Sequence, residues 1–548
     1  MYSAILTKRW YRYIQRAQRV GQRVNTPVGM DGQSPLRLTQ VMAAIVICIL
    51  RFAHFSLAAD SSPKNVLMIA VDDLRPHFGQ SYDTPQVLTP NMDKLAQRGV
   101  TFKRTYCQAA TCGVSRSSLL TGRRPDTTHV LTNTGCFRNA GNWTSLPHYF
   151  KTKGYTTAGG GKIFHVGVCD GAAFGEDRLA WSLPYYHAPC TRLGTSTPCA
   201  PPRTFAARPY SWFANDSVTD DGVQDGLIAM NAISQMHNLT KYHADTPFFL
   251  AVGFHKPHLP HIAPKKYFDM YPLENVDLPV NPRVPKGLPK VTWNACSEFL
   301  SYNDSHVESR EDHFSQEQPL SDAHTRIHRR AYYATTTFVD AQVGRVLDAL
   351  DELGLTNDTV VMLWGDHGWH LGENNEWAKH TNFEHATHVP LFISAPGGQK
   401  GAISQALTEL VDVYPTLAEL AGLPVPTECP SDSKLVDVCT EGRSLAPLVM
   451  NPAVAWSPAA FSQWPKGGDM GYTMRTQRYR YTEWVGYNKT SHGPIWSKLL
   501  GTELYDFMTD PNETVNHAQD SAMASLVTEL SHQLHAGWRN ATVSTVPS

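Results

Sequence analysis

The chain has 548 residues, a formal charge of −1, a pI near 7.1 and a mean hydropathy of −0.32, long enough for one large domain and a smaller one. This balance gives no bulk electrostatic reason to bind nucleic acid. Its 10 cysteines are irregularly spaced with no Cys-x-x-Cys pair, which argues against a zinc ribbon or finger.

Residues 1–59 read as a basic leader and a signal-like segment. Lys8, Arg9, Arg12, Arg16, Arg19 and Arg23 precede an apolar run from Val41 to Leu50, and small residues follow at Phe55 to Ala59. The run is too short to span a bilayer comfortably, so no stable membrane insertion is expected. A later start at Met30 or Met42, or a cleaved leader, is favoured over a signal anchor. Asn142, Asn215, Asn238, Asn303, Asn357, Asn488, Asn512 and Asn540 each open an Asn-x-Ser/Thr sequon, a density that points to a glycoprotein of the secretory pathway. Cys190 with Cys199, and Cys429 with Cys439, would each close a short turn-rich loop as a disulfide, leaving Cys112 unpaired.

From Asn65 to Val71 a continuous apolar segment predicts a strand buried on both faces, ending in Asp72 and Asp73. Acids at the carboxyl end of such a strand lie where an open α/β sheet binds ligands. Taken alone, an Asp-Asp pair is as readily a capped turn. Thr89 and Pro90 open a helix. At Cys112 a Gly-containing loop meets a short helical pattern, which places a nucleophile at a helix N-terminus with Arg116 one turn along the same face. Arg123 and Arg124 follow and are expected to help bind a tetrahedral oxyanion. A buried structural Cys beside a surface Arg is the plainer reading of Cys-x-x-x-Arg by itself.

Lys162 and His165 follow a Gly-rich run, and residues 165–225 read as a long surface excursion beside the substrate. Phe248 to Phe254 predicts a third buried strand, delivering His255, Lys256 and His258. Val339, Val343, Val346, Leu347, Leu350 and Leu353 share a helix face closed by Gly354. Thr359 to Trp364 is another buried strand, and it ends in Asp366 and His367, with Trp369 and Lys379 beyond. Helices between buried strands predict a doubly wound α/β sheet covered on both faces, forming a catalytic domain over 60–450. A linker at 451–458 leads to a C-terminal subdomain over 451–548. There Tyr472 to Trp484 alternates like a solvent-facing antiparallel hairpin, and Ser521 to Trp538 forms a closing helix. Asp72, Asp73, Asp366 and His367 supply hard oxygens and one imidazole, suiting Ca²⁺ or Mg²⁺ better than zinc.

Cys112-x-x-Ser-Arg116 followed by Leu-Leu-Thr-Gly-Arg-Arg-Pro resembles the signature of the type I sulfatases, in which that Cys is oxidised to formylglycine. Val114 stands where the family has Pro. Asp412 to Leu417 and Glu503 to Asp506 resemble later family landmarks, and Gly122 to Thr128, Phe254 to Pro260, Asp366 to Trp369, Glu376 to Lys379 and Ala386 to Leu391 most closely resemble the branch that acts on iduronate 2-sulfate. The resemblance implies an alkaline-phosphatase-like sandwich, with a large mixed, mostly parallel sheet flanked by helices and a smaller C-terminal α+β domain with an antiparallel sheet. It implies one Ca²⁺ held by Asp72, Asp73, Asp366, His367 and the residue made from Cys112, with formylglycine-generating enzyme as a partner in maturation. Arg116 and Lys162 would hold hydrated formylglycine, whose hydroxyl attacks sulfur. His258 or Lys379 would protonate the leaving sugar, and His165 would act as base in releasing sulfate. His258, Lys379 and Trp369 would also bind the substrate, terminal 2-O-sulfated iduronate of heparan or dermatan sulfate, in lysosomes or after secretion. Competing readings are a sulfatase of other specificity, a phosphoesterase of the same fold, and a glycan-binding protein in which Val114 leaves Cys112 unmodified.

Overall fold

The computed structural model describes residues 63–165, 176–189, 211–216, 218–294, 298, 302, 315–456 and 459–540. The leader, most of the 165–225 excursion and the Cys190–Cys199 pair lie outside them. From Pro63 onward the chain forms one compact unit. No helix among the described residues is long and apolar enough to cross a membrane.

The large sheet is built from β1 (Asn65–Val71), β2 (Val100–Tyr106), β3 (Thr156–Gly161), β4 (Phe248–Phe254), β5 (Thr359–Gly365), β6 (His388–Ser394), β7 (Ala402–Ser404) and the short β8 (Thr408–Glu409). Its order is β7-β2-β6-β5-β1-β4-β3, with β8 also on β2. Strands β3, β4, β1 and β5 run parallel, and β6 runs antiparallel between β5 and β2. The mostly parallel mixed sheet expected from the sequence is therefore present.

Strand alternation explains the sandwich. Leu67, Ile69 and Val71 of β1 join a core with helices α1 (Pro90–Arg98), α4 (Gln224–Tyr242) and α5 (Asp322–Glu352). Val66, Met68 and Ala70 point the other way, to α2 (Cys112–Thr121), α3 (Leu146–Thr152) and α6 (Val413–Leu420). Burying each of the five larger of these side chains contributes roughly 1.5–3 kcal/mol, which is why β1 has no polar face. Helix α5 ends as its sequence predicts, with Gly354 just beyond it at φ +69°. Strands β3 and β4 meet tightly at the site: a Cβ on Gly161 would lie 1.9 Å from the Gly253 carbonyl oxygen, and one on Gly253 would lie 2.2 Å from that of Lys162. The Gly-rich run therefore lets the backbone bring Lys162 over the end of β1.

The C-terminal part forms a four-stranded antiparallel sheet, β9 (Ala459–Lys466), β10 (Asp469–Thr476), β11 (Tyr479–Asn488) and β12 (Gly493–Asp506), with α7 (Ala524–Ala536) upon it. The expectation of a solvent-facing hairpin is corrected here. Nine of the ten residues of β11 are buried. Tyr479 and Tyr481 pack with Leu530 and Leu534, and Arg480 reaches the opposite side to Glu513 and the ring of Phe383. The expected disulfide joins Cys429 to Cys439.

Candidate active site

The ends of strands β1, β5 and β3 and one helix start converge on a buried cluster. Strand β1 ends in Asp72 and Asp73, β5 in Asp366 and His367, and the turn after β3 supplies Lys162. Cys112 is the first residue of α2, fully buried and unpaired. The loop feeding α2 is fixed by the C-terminal sheet: Ser462 Oγ donates to the Cys107 carbonyl at 2.6 Å, and Gln463 N to that of Gln108 at 2.8 Å.

The Cys112 sulfur lies 3.2 Å from Lys379 Nζ, 3.3 Å from His367 Nε2 and 3.7 Å from Asp73 Oδ1. Burial alone would raise its pKa, but the Lys162 and Lys379 ammonium groups outweigh that and lower it. Lys162 Nζ donates to Asp72 Oδ2 at 2.5 Å, and Lys379 Nζ to both Asp73 oxygens at 2.9 and 3.1 Å. Against the desolvation that would raise them, Lys162 with His258 and Arg116 holds Asp72, and His258 with Lys379 and His367 holds Asp73, well below the usual carboxylate range.

Arg116 binds Asp366 through Nε at 2.8 Å, Asp72 through Nη2 at 3.0 Å, and the carbonyls of Lys162 and Ile163 through Nη1. It is a brace that ties β1, β3 and β5 together beneath the cluster. His367 Nδ1 lies 2.9 Å from the Gly368 carbonyl, to which it donates, so that Nε2 faces Asp73 at 3.1 Å and the Cys112 sulfur. Asp73, Cys112, Asp366 and His367 each offer a ligand atom, all within 4.8 Å of one another, and Asp72, Asp73, Cys112 and His258 form a second such set. The cluster can hold a metal ion.

His258 stands at the rim with 22% of its side chain exposed, whereas Lys379 is wholly covered. Nδ1 of His258 lies 2.6 Å from the Leu259 carbonyl, and Nε2 3.2 Å from Glu298 and 3.9 Å from Asp73. Burial would depress its pKa, but Asp73 opposes this and the net shift is upward. His165 shows the opposite balance: burial and then Lys162 push it down to about 3, and its Nδ1 meets no hydrogen-bond partner. It is a neutral imidazole with an open nitrogen beside the cluster.

Two expectations are corrected. Arg123 and Arg124 do not face the oxyanion site. Arg123 donates to the Thr121 carbonyl and lies over the Trp143 ring, and Arg124 is clamped on Glu409 at 2.8 and 2.6 Å. Trp369, expected as a stacking face for sugar, is 1% exposed, stacked on Tyr332, with Lys379 Nζ 5.4 Å from its ring centre. Its ring lines the wall behind Lys379.

Glu298 escaped the sequence reading. Its oxygens lie 3.2 Å from His258 and 3.3 Å from Lys379. Burial would raise this carboxyl, but Lys379 and His258 bring it down to about 2. It belongs to a stretch without strand or helix periodicity, so nothing local marked it. Asp225, near the start of α4, accepts from the backbone N–H groups of His255 and Lys256, both at 2.8 Å, and so anchors the His258 loop.

The sulfatase family profile matches residues 64–423, and one described as N-sulphoglucosamine sulphohydrolase, C-terminal, matches 365–540. The chain is similar to iduronate 2-sulfatase of Homo sapiens, 35% identical over 547 residues and covering 90% of this chain and 98% of that protein. It is equally similar to the Mus musculus enzyme, 35% identical over 553 residues with the same coverage. A solved phosphonate monoester hydrolase from Silicibacter pomeroyi shares the fold, with a TM-score of 0.67 at 22% identity over 88% of this chain and 96% of that one. With the profile spanning the large sheet and relatives matched along nearly their whole length, the chain belongs to the sulfatase family.

Proposed function

We infer that the chain removes the 2-O-sulfate of terminal iduronate in heparan or dermatan sulfate, acting in the lysosome or after secretion. The carrying observation is the buried Cys112 sulfur at the start of α2, 3.2 Å from Lys379 and edged by the carboxylates that could bind a cation. The two overlapping donor sets, each of two carboxylates, an imidazole and residue 112, are rich in the hard oxygens that suit Ca²⁺. Bound there, Ca²⁺ would supply positive charge for sulfate oxygens, and formylglycine made from Cys112 by formylglycine-generating enzyme would supply an oxygen nucleophile.

The chain's own residues divide the remaining work. Lys162 and Lys379 flank position 112 and offset negative charge there. His258, exposed at the rim, would donate a proton to the departing sugar oxygen, and the neutral His165 would accept one during sulfate release. His258 and Lys379 already accommodate a carboxylate, that of Glu298, which supports a uronate carboxylate as the neighbouring recognition element.

Turnover of paired disaccharides tests this reading. One would carry a terminal 2-sulfated uronate and the other a sulfated hexosamine, with a phosphate analogue alongside. Clear preference for the uronate is expected. Equal rates would defeat the specificity, and preference for the phosphate would favour the phosphoesterase reading.

A further inference from the structure

Asp73 lies in the left-handed backbone region at φ +60°, a conformation disfavoured for residues with a Cβ. Its carboxylate is turned towards Lys379 and His367 and does not stabilise the turn from within. The turn is held from outside. On one side Asp73 N donates to Asp366 Oδ1 at 2.9 Å. On the other, the Tyr332 hydroxyl donates to the Asp73 carbonyl at 2.8 Å and accepts from Arg75 N at 2.9 Å. A single hydroxyl from the middle of α5 thus bridges the carbonyl of residue 73 and the N–H of residue 75. Its ring is fully buried, stacked against Trp369 and edge-on to His261, so it has little room to move.

We propose that Tyr332 is a positioning residue for the cation site, locking Asp73 in the backbone conformation that aims its carboxylate into the cluster. The proposal rests on Asp73 being a cation ligand, as inferred above. Arg75 is separately clamped by Glu373 at 3.0 Å through both terminal guanidinium nitrogens, which fixes the far end of the turn but not Asp73 itself. Removing the hydroxyl leaves a buried carbonyl and a buried N–H without this partner and lets residue 73 relax from φ +60°.

The test is Tyr332→Phe in the full chain, stripped of metal by a chelator and titrated with Ca²⁺ by calorimetry. The dissociation constant is expected to rise roughly ten- to hundredfold, with kcat restored at saturating Ca²⁺. Tyr333→Phe, which removes the adjacent hydroxyl bound to Asp277 at 2.7 Å, should leave the constant unchanged. In the unaltered protein, Ca²⁺ should slow hydrogen exchange at the Arg75 amide, a reading that does not depend on the variant folding. An unchanged dissociation constant in Tyr332→Phe, activity that excess Ca²⁺ does not restore, or Arg75 exchange indifferent to Ca²⁺ would each overturn the proposal. A wild type that takes up no cation would overturn the metal reading and this proposal together.

Discussion

Lys379 Nζ stands between the Cys112 sulfur at 3.2 Å and the Asp73 carboxylate at 2.9 Å. Burial would lower its pKa, but Asp73, Cys112 and Glu298 outweigh that and hold it well above the usual lysine range, so it remains an ammonium throughout the working pH range. A fixed positive charge beside the reacting position is worth more in this dry site than in water. Lys379→Met should therefore lower kcat by about 10²–10³. Taking one cation from Asp73, which keeps His367 at 3.1 Å, should also cost on the order of 1–3 kcal/mol of stability. Steady-state kinetics and calorimetric melting measure the two effects, and a variant with unaltered kcat would remove Lys379 from the active centre.

His258 differs from Lys379 in having an exposed edge, and the proposed mechanism makes that difference the one between proton donor and charge clamp. A general acid matters in proportion to how poor the leaving group is. His258→Gln should reduce kcat on a sugar sulfate by about 10²–10⁴, since an alkoxide leaves badly without a proton. On a nitrophenyl sulfate, whose phenolate leaves unaided, the loss should be small. Equal losses on both substrates would show that His258 serves binding and not proton transfer.

The sequence made the centre legible because its chemistry lies at the ends of strands. Asp72, Asp73, Asp366 and His367 each terminate an unbroken apolar run, and a buried parallel strand can only deliver its last residues to one edge of the sheet. Arg123 and Arg124 were misplaced because α2 ends at Thr121. Gly122 then turns at φ +64° and sends the next two side chains towards Glu409 and Trp143. Trp369 and the β11 hairpin were misread for a shared reason. Both are amphipathic in sequence, and only the tertiary partners, Tyr332 behind one and α7 over the other, decide that they are buried. Tyr332 carried no signal of its own, since it falls within a helix whose pattern already accounts for an aromatic core residue.

Asp126 offers a stability test away from the cation cluster. Its carboxylate accepts from Gln463 Nε2 at 2.7 Å and Tyr472 Oη at 2.8 Å, and burial raises its pKa to about 6 despite these bonds. The folded pKa is above the unfolded value of about 3.9, so the native state holds a proton that the unfolded chain releases. Its contribution is complete below about pH 4 and is lost as pH rises through about 6, amounting to roughly 2–3 kcal/mol. The fold should therefore gain from mild acid at this residue. Asp126→Asn should flatten the dependence of the melting temperature on pH between about 4 and 7. Parallel curves for wild type and variant would show that the carboxyl does not retain its proton.

Val114 is the third residue of α2, fully buried, at the place where the sulfatase signature carries Pro. The first N–H groups of a helix have no partner within it, so Pro there forfeits no helical hydrogen bond, and the folded protein should accept Val114→Pro. The difference would lie in the unfolded segment, which the formylglycine-generating enzyme of the proposed maturation would bind. Pro fixes φ near −65° and biases its predecessor towards an extended form. Val lacks that restraint but, being β-branched, still favours extended backbone. Conversion of Cys112 should thus be reduced without being abolished. The tryptic peptide containing residue 112, from protein made in animal cells, should show both Cys and formylglycine by mass. Val114→Pro should raise the modified fraction, with kcat rising in proportion and the melting temperature unchanged, and Cys112→Ala should be inactive in either background. Complete conversion in the wild type would show that Val is fully accepted, whereas activity from a chain with no formylglycine at position 112 would overturn the nucleophile itself.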